Sequence, residues 1–213
     1  MRKLLFALSA LAALALLAPN TGTAQDENQI GIYMVEDPTF ADPDTLATET
    51  VYEGAPGQFT AYVVVSNPTN YNFSGNGTVQ AISNLGGFEF RLEYPAGLFV
   101  TATLHPSATN FKTPPDFLCG SAVPVNPEGN ATVITLTIGV FAATENLWYI
   151  TPISDVPAQS IPDGMAITDF DDAFRLVEAY SSAGSQALPV FAMWPEPVNR
   201  PVPSEDHTWG DVK

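Results

Sequence analysis

Gly87-Phe88-Glu89-Phe90-Arg91-Leu92-Glu93-Tyr94 is the stretch on which the reading of the fold turns. Phe88, Phe90, Leu92 and Tyr94 fall on one side of an extended chain, and Glu89, Arg91 and Glu93 fall on the other, because successive side chains of a β-strand point to opposite faces. A period of two with charge on the alternate side predicts a strand with one face on a core and one in water. On a helix the same apolar positions would scatter around a 3.6-residue cylinder.

Outward from this strand the chain repeats the style. Toward the N-terminus lie Gln58 to Val65, Thr50 to Glu53 and Ile30 to Val35, with Gly54-Ala55-Pro56-Gly57 as a turn and Asn67 to Gly77 as a loop. Toward the C-terminus, Pro95-Ala96-Gly97 leads into Leu98 to Leu104, and Phe117 to Ala122 surrounds the lone Cys119. Ala131 to Phe141 sets Val133, Ile134, Leu136, Ile138 and Val140 among Thr132, Thr135 and Thr137. Leu147 to Ile150, Met165 to Ile167, Phe174 to Tyr180 and Val190 to Trp194 complete the series, Asp169 to Tyr180 also being readable as a short capped helix. β-Branched and aromatic residues dominate, and Gly or Pro recurs too often for long helices. The pattern predicts an all-β domain over 25–195, an antiparallel two-sheet β-sandwich, Ig-like or jelly-roll-like, with about nine to ten strands. Residues 196–213, with Pro197, Pro201 and Pro203, read as a Pro-rich extended tail.

The first 24 residues read as an address. Arg2 and Lys3 precede the apolar run Leu4 to Leu17, and small residues at Thr21 to Ala24 offer a cleavage site, the three parts of a secretory signal. The run is shorter than the roughly 20 residues of a spanning helix, and no later stretch is long enough, so the expectation is an exported chain without a transmembrane segment. The full sequence carries 7 Lys+Arg against 23 Asp+Glu, net −16. Losing Arg2 and Lys3 leaves 5 basic residues and a net charge of −18. Such a surface repels phosphate, which argues against nucleic acid as a partner. One Cys rules out an internal disulfide framework.

Gly87 to Pro95, followed by Leu98 and Val100, resembles the cohesin and carbohydrate-binding-module superfamily, whose extracellular β-sandwiches have a Gly-Phe-x-Phe-x-Leu-x-Tyr strand. The strand from Gln58 into Asn67-Pro68 is similar to the one before it there, and the layout matches over residues 30 to 194. The resemblance implies a β-sandwich and an extracellular binding role. Tyr94 meets Pro95 directly, where the family usually interposes an acidic or amide residue, and no dockerin-contact residue is carried over.

Searching for chemistry narrows the field. There is no Gly-x-Ser-x-Gly elbow, no phosphate loop with Lys and no His-Glu-x-x-His. His105 and His207 are the two imidazoles, so a Ser-His-Asp triad would depend on His105. Glycoside cleavage needs two opposed carboxylates, but Glu89 and Glu93 read as solubilising positions on an outer strand face. Calcium is the metal that best suits the acids: Asp169, Asp171 and Asp172 crowd one loop, and Ca²⁺ takes six to eight oxygens. Glu36, Asp37, Asp42 and Asp44 form a second acidic group. For sugar stacking the candidates are Trp148 and Tyr149, adjacent on a strand, and Tyr71 and Phe73 in the polar loop. The expected function is a secreted, non-enzymatic β-sandwich module that binds an extracellular protein or serves cell-surface structure. The alternatives are a carbohydrate-binding module with polysaccharide as partner and, third, a carboxylate-dependent glycoside hydrolase.

Overall fold

The computed structural model describes residues 27–35, 46, 49–71, 79–125, 129–172 and 175–201. The signal segment at 1–24, the acidic group at 36–44, Phe73, His207 and the end of the tail lie outside the described residues. Among the described residues, fourteen strands run in chain order: β1 (Gln29–Tyr33), β2 (Val51–Tyr52), β3 (Gly57–Ser66), β4 (Thr69–Tyr71), β5 (Val79–Ala81), β6 (Leu85–Glu93), β7 (Phe99–Leu104), β8 (Ala108–Asn110), β9 (Asp116–Val125), β10 (Asn130–Val140), β11 (Asn146–Thr151), β12 (Met165–Asp169), β13 (Leu176–Ser181) and β14 (Phe191–Met193). Three-residue 3-10 turns sit at Val156–Ala158 and Pro197–Asn199. The described residues are mostly β, with almost no helix.

Twelve strands form one continuous hydrogen-bonded sheet, and β4 with β5 forms a separate hairpin. β6 is the hub. One edge of it pairs with β9, and the other pairs first with β12 along Leu85 to Glu89 and then with β11 along Arg91 to Glu93. The path continues from β12 through β13, β1, β3 and β10 to β7. A single apolar cluster takes Phe88, Phe90 and Leu92 of β6, Phe117 of β9 and Trp148 of β11 together with Val63 and Val65 of β3 and Leu136 and Ile138 of β10. The two limbs of the path thus share one core, and two faces that alternate apolar with polar residues bury their apolar halves together.

Three expectations need correction. Among the described residues the strands already number fourteen, because short pairings such as β4–β5 and β8–β9 fall in stretches whose polar composition reads as loop. The sheet is not wholly antiparallel: β1 runs parallel to β13, and β2 parallel to β14. Of the two readings of Asp169 to Tyr180, the strand is the one formed: Leu176–Ser181 is β13, paired with both β12 and β1. The charged face of β6 also departs from simple alternation. Arg91 is half-buried and Glu93 exposed, but Glu89 is 2% exposed. The segment after β11 lies across this face. Ser160 donates its backbone N–H to Glu89 Oε1 and Oε2 at 2.9 and 3.1 Å, and its hydroxyl donates to Oε2 as well.

Residues 196–200, placed by composition in the tail, are fastened to the body. Glu145 accepts hydrogen bonds from the Glu196 N–H at 2.7 Å and from Asn199 Nδ2 at 2.9 Å, and Arg200 pairs with Glu53.

Candidate functional site

Two surfaces collect side chains that stand outside the buried core or only partly enter it. The first is the outer face of β3, β10 and β7. Register aligns Thr60, Thr137 and Thr101 in one row, Tyr62, Thr135 and Thr103 in the next, and Gln58, Gly139 and Phe99 in the third. Residues directly opposite across a ladder share a face, so these nine positions form one surface, and none carries a charge. Phe99 is 68% exposed and Phe141, just past β10, is 81% exposed, their rings meeting edge to face at 5.6 Å. Gly139 leaves room beneath Phe99, since a Cβ there would stand 3.3 Å from the Phe99 Cβ. On a chain of net charge −16, an uncharged patch of hydroxyls, methyls and two aromatic rings stands apart.

The second surface is a shallow cleft of about 400 Å³ lined by Glu93, Tyr94, Pro95, Glu145, Leu147 and Tyr149. β6 and β11 place it, Tyr149 standing opposite Glu93 in the ladder. Hydrogen bonds from Asn199 and from the Glu196 N–H hold the Glu145 carboxyl below the usual carboxylate range. Near neutral pH it is an ionised acceptor and not a proton donor, which suits binding better than general-acid chemistry. Glu93 accepts from Arg91 Nε at 3.1 Å and from Thr151 Oγ1 at 3.3 Å.

The candidate residues separate on inspection. Trp148 is fully buried, stacked on Tyr94 at 4.7 Å and edge-on to Phe191 at 6.2 Å, so it presents no face to a ligand. Its neighbour Tyr149 is half-buried and lines the cleft, as the opposite orientation of adjacent strand residues requires. Tyr71 lies on β4, its backbone in register with Val79. Phe73 lies outside the described residues.

The three aspartates each have protein partners. Asp169 is buried and accepts from Asn70 Nδ2 at 2.5 Å and from the Asp171 N–H at 3.0 Å. Asp171 accepts from Asn84 Nδ2 at 2.9 Å, and Asp172 pairs with Arg175 at 3.2 Å. Among the described residues, no group of three His, Cys, Asp or Glu is arranged to hold a metal ion. His105 Nδ1 lies 2.7 Å from Ser107 Oγ and accepts the Ser107 N–H at 3.3 Å. That closes a local turn between β7 and β8.

The nine-residue face is what sequence reading missed. Its signal was present in Thr101-x-Thr103 and Thr135-x-Thr137, but only the register sets these pairs side by side.

No family model and no curated protein matches the sequence. Among solved structures the chain is similar to a type II cohesin domain from the cellulosome of Acetivibrio cellulolyticus, with a TM-score of 0.39 and 14% identity over 68% of this chain and 90% of that one. Among the described residues, no helix is long and apolar enough to cross a membrane.

Proposed function

We propose that this chain is an exported, non-enzymatic binding module that holds a protein partner on the outer face of β3, β10 and β7. The observation behind this reading is the uncharged face itself. Depletion of charge at the centre, with aromatic residues enriched, marks the core of protein interfaces. Threonine on a rigid sheet adds hydroxyls at low entropic cost, because its branched side chain holds few rotamers. Export rests on the N-terminal segment, which has the three parts of a secretory signal.

The test is capture from the culture fluid of the producing organism. The secreted protein should retain a defined protein ligand, and Thr135→Lys/Thr137→Lys, which puts charge in the middle of the face, should release it without changing the thermal melt. Equal capture by both proteins, or no capture by either, would overturn the reading.

The cleft supports a second reading, carbohydrate binding. Tyr149 offers a ring and Glu93 and Glu145 offer acceptors, the pairing of stacking and polar groups that suits sugars. A glycan array decides it: a ligand bound by the wild-type chain and lost in Tyr149→Ala favours this site.

A further inference from the structure

β7 ends the large sheet. Among the described residues it pairs with β10 and with no other strand. The hydrogen bond from the His105 N–H to the Val133 carbonyl, 2.9 Å, sets the phase of this ladder. With Leu104 opposite Ile134, the backbone groups of Phe99, Thr101 and Thr103 turn toward β10, and those of Val100, Ala102 and Leu104 turn outward. The outward row is thus three N–H donors and three carbonyl acceptors. The inward-facing side chains mark the same edge by their exposure. Val100, Ala102 and Leu104 are half-buried, whereas Ile134, Leu136 and Ile138 on the neighbouring strand are 0% exposed. The core is sealed under β10 and open at β7.

Natural proteins blunt such an edge with Lys, Pro, a bulge or an inward charge. Phe99-Val100-Thr101-Ala102-Thr103-Leu104 has no charge, no Pro and no Gly, and β7 runs in unbroken register along β10. It is a six-residue segment of high β-propensity, the kind that pairs with another strand when exposed. The protein mate that fits such an edge is a strand, which presents a matching row of acceptors and donors.

We propose that the mate is β7 of a second copy, in an antiparallel pair about a two-fold axis. The outward phase allows a centred register: Ala102 faces its own counterpart, Val100 faces Leu104, and Thr101 faces Thr103. Each of the three outward pairs exchanges two backbone hydrogen bonds. Val100 and Leu104 close the open core from both sides, and the threonines meet as a cross-strand pair. Charge favours an uncharged contact, since two exported copies, each of net −18 once Arg2 and Lys3 are lost, approach with least repulsion along an uncharged strand. Two segments outside the described residues have sequences that suit a strand poorly: 36–45 contains Asp37-Pro38 and Asp42-Pro43, and 202–213 contains Pro203, Glu205 and Asp206. The pairing would join two uncharged faces into one six-stranded surface, but it stands whether or not that face binds a partner.

Sedimentation equilibrium of the secreted protein over a wide concentration range tests the proposal. The mass should rise from one chain to two with increasing concentration, and added salt should strengthen the dimer by screening the negative charge. Ala102→Pro removes an outward N–H and no bond to β10, so it should stay monomeric with an unchanged melt. If that variant fails to fold, Thr101→Lys/Thr103→Lys, which sets like charges across the seam, should give the same monomer. Oxidation of Ala102→Cys should cross-link two copies, because directly bonded partners stand about 5.5 Å apart; Thr60→Cys, two strands inward, should not cross-link. Thr135→Lys/Thr137→Lys should leave the dimer intact, which separates this result from the partner-binding test. A wild-type monomer at every concentration overturns the proposal, and so does a dimer that survives both edge variants.

Discussion

Ser160 and Glu89, 71 residues apart, are joined by both oxygens of one carboxylate: the Ser160 N–H reaches Oε1 at 2.9 Å and Oε2 at 3.1 Å. The bond holds the segment after β11 over β6 and explains why Glu89 is 2% exposed while Glu93 faces solvent. Hydrogen bonds to a charged group are worth about 1.5–3 kcal/mol. Glu89→Ala should therefore lower stability by about 2 kcal/mol, partly by leaving the Ser160 N–H unpaired. Glu89→Gln keeps one acceptor and should cost less. Urea titration reads both, with the midpoint falling and the slope unchanged. An Ala variant as stable as wild type would mean that the segment is held by other contacts.

Asp116 makes a related clamp, and its charge makes the clamp depend on pH. Burial alone would raise its pKa, but hydrogen bonds from the Ser154 hydroxyl and N–H, together with the nearby Arg91 guanidinium, outweigh burial and hold it below the usual range. A carboxyl whose pKa is lower folded than unfolded stabilises the fold above the unfolded value, near 4. That contribution is lost as pH falls through the folded value. Wild type should therefore lose stability below about pH 4 more steeply than Asp116→Asn does. Parallel profiles in thermal melts from pH 7 to acid would show that Asp116 takes no part in the acid limb.

Cys119 lies on β9 opposite Phe88 and is 6% exposed. Burial pushes its thiol up to about 12. The thiolate is the reactive form, so the native protein should be inert to a thiol reagent at pH 8 and should react with one equivalent once unfolded in urea. Fast labelling of the native chain would place Cys119 at the surface.

Calcium meets a loop whose carboxylates already have partners. Asp169 joins the hairpin to the main sheet through Asn70, and Arg175 Nη1 donates to Asn70 Oδ1 at 3.0 Å. Asp169→Ala should therefore destabilise the protein by about 1.5–3 kcal/mol, the range for a hydrogen bond to a charged group. Millimolar Ca²⁺ or excess EDTA should shift the melt by less than about 1 °C, since a ligand stabilises only in proportion to its occupancy. A rise of several degrees with Ca²⁺, lost in Asp171→Asn, would establish the metal site instead.

The sequence carried the layers and the core, because a period of two records which side of a strand is buried. Phe88, Phe90 and Leu92 are all at or below 2% exposed, as their alternation requires. Glu89 was misread for a physical reason: alternation says which face a residue takes, not whether a distant loop covers that face. Register was hidden likewise, so nothing local sets Thr101 beside Thr137. The parallel pairing of β1 with β13 joins residues about 150 apart, and no local pattern encodes such a contact. Of the proposed sites, the opposite orientation of Trp148 and Tyr149 was legible, but not which of them faced out.

That choice gives the sharpest contrast between neighbours. Trp148 fills the core against Tyr94 and Phe191, and truncating a buried aromatic to Ala costs about 3–5 kcal/mol. Trp148→Ala should therefore approach the limit of stability for a domain of this size, where total stability is about 5–15 kcal/mol. Tyr149→Ala removes a half-buried ring from the cleft wall and should cost well under half as much. If the cleft binds a saccharide, Tyr149→Ala abolishes binding in a protein that still melts cooperatively, whereas a conservative Trp148→Phe leaves binding in place. Loss of binding in Trp148→Phe at unchanged stability would move the site inward, to a pocket that opens through the stacked Tyr94.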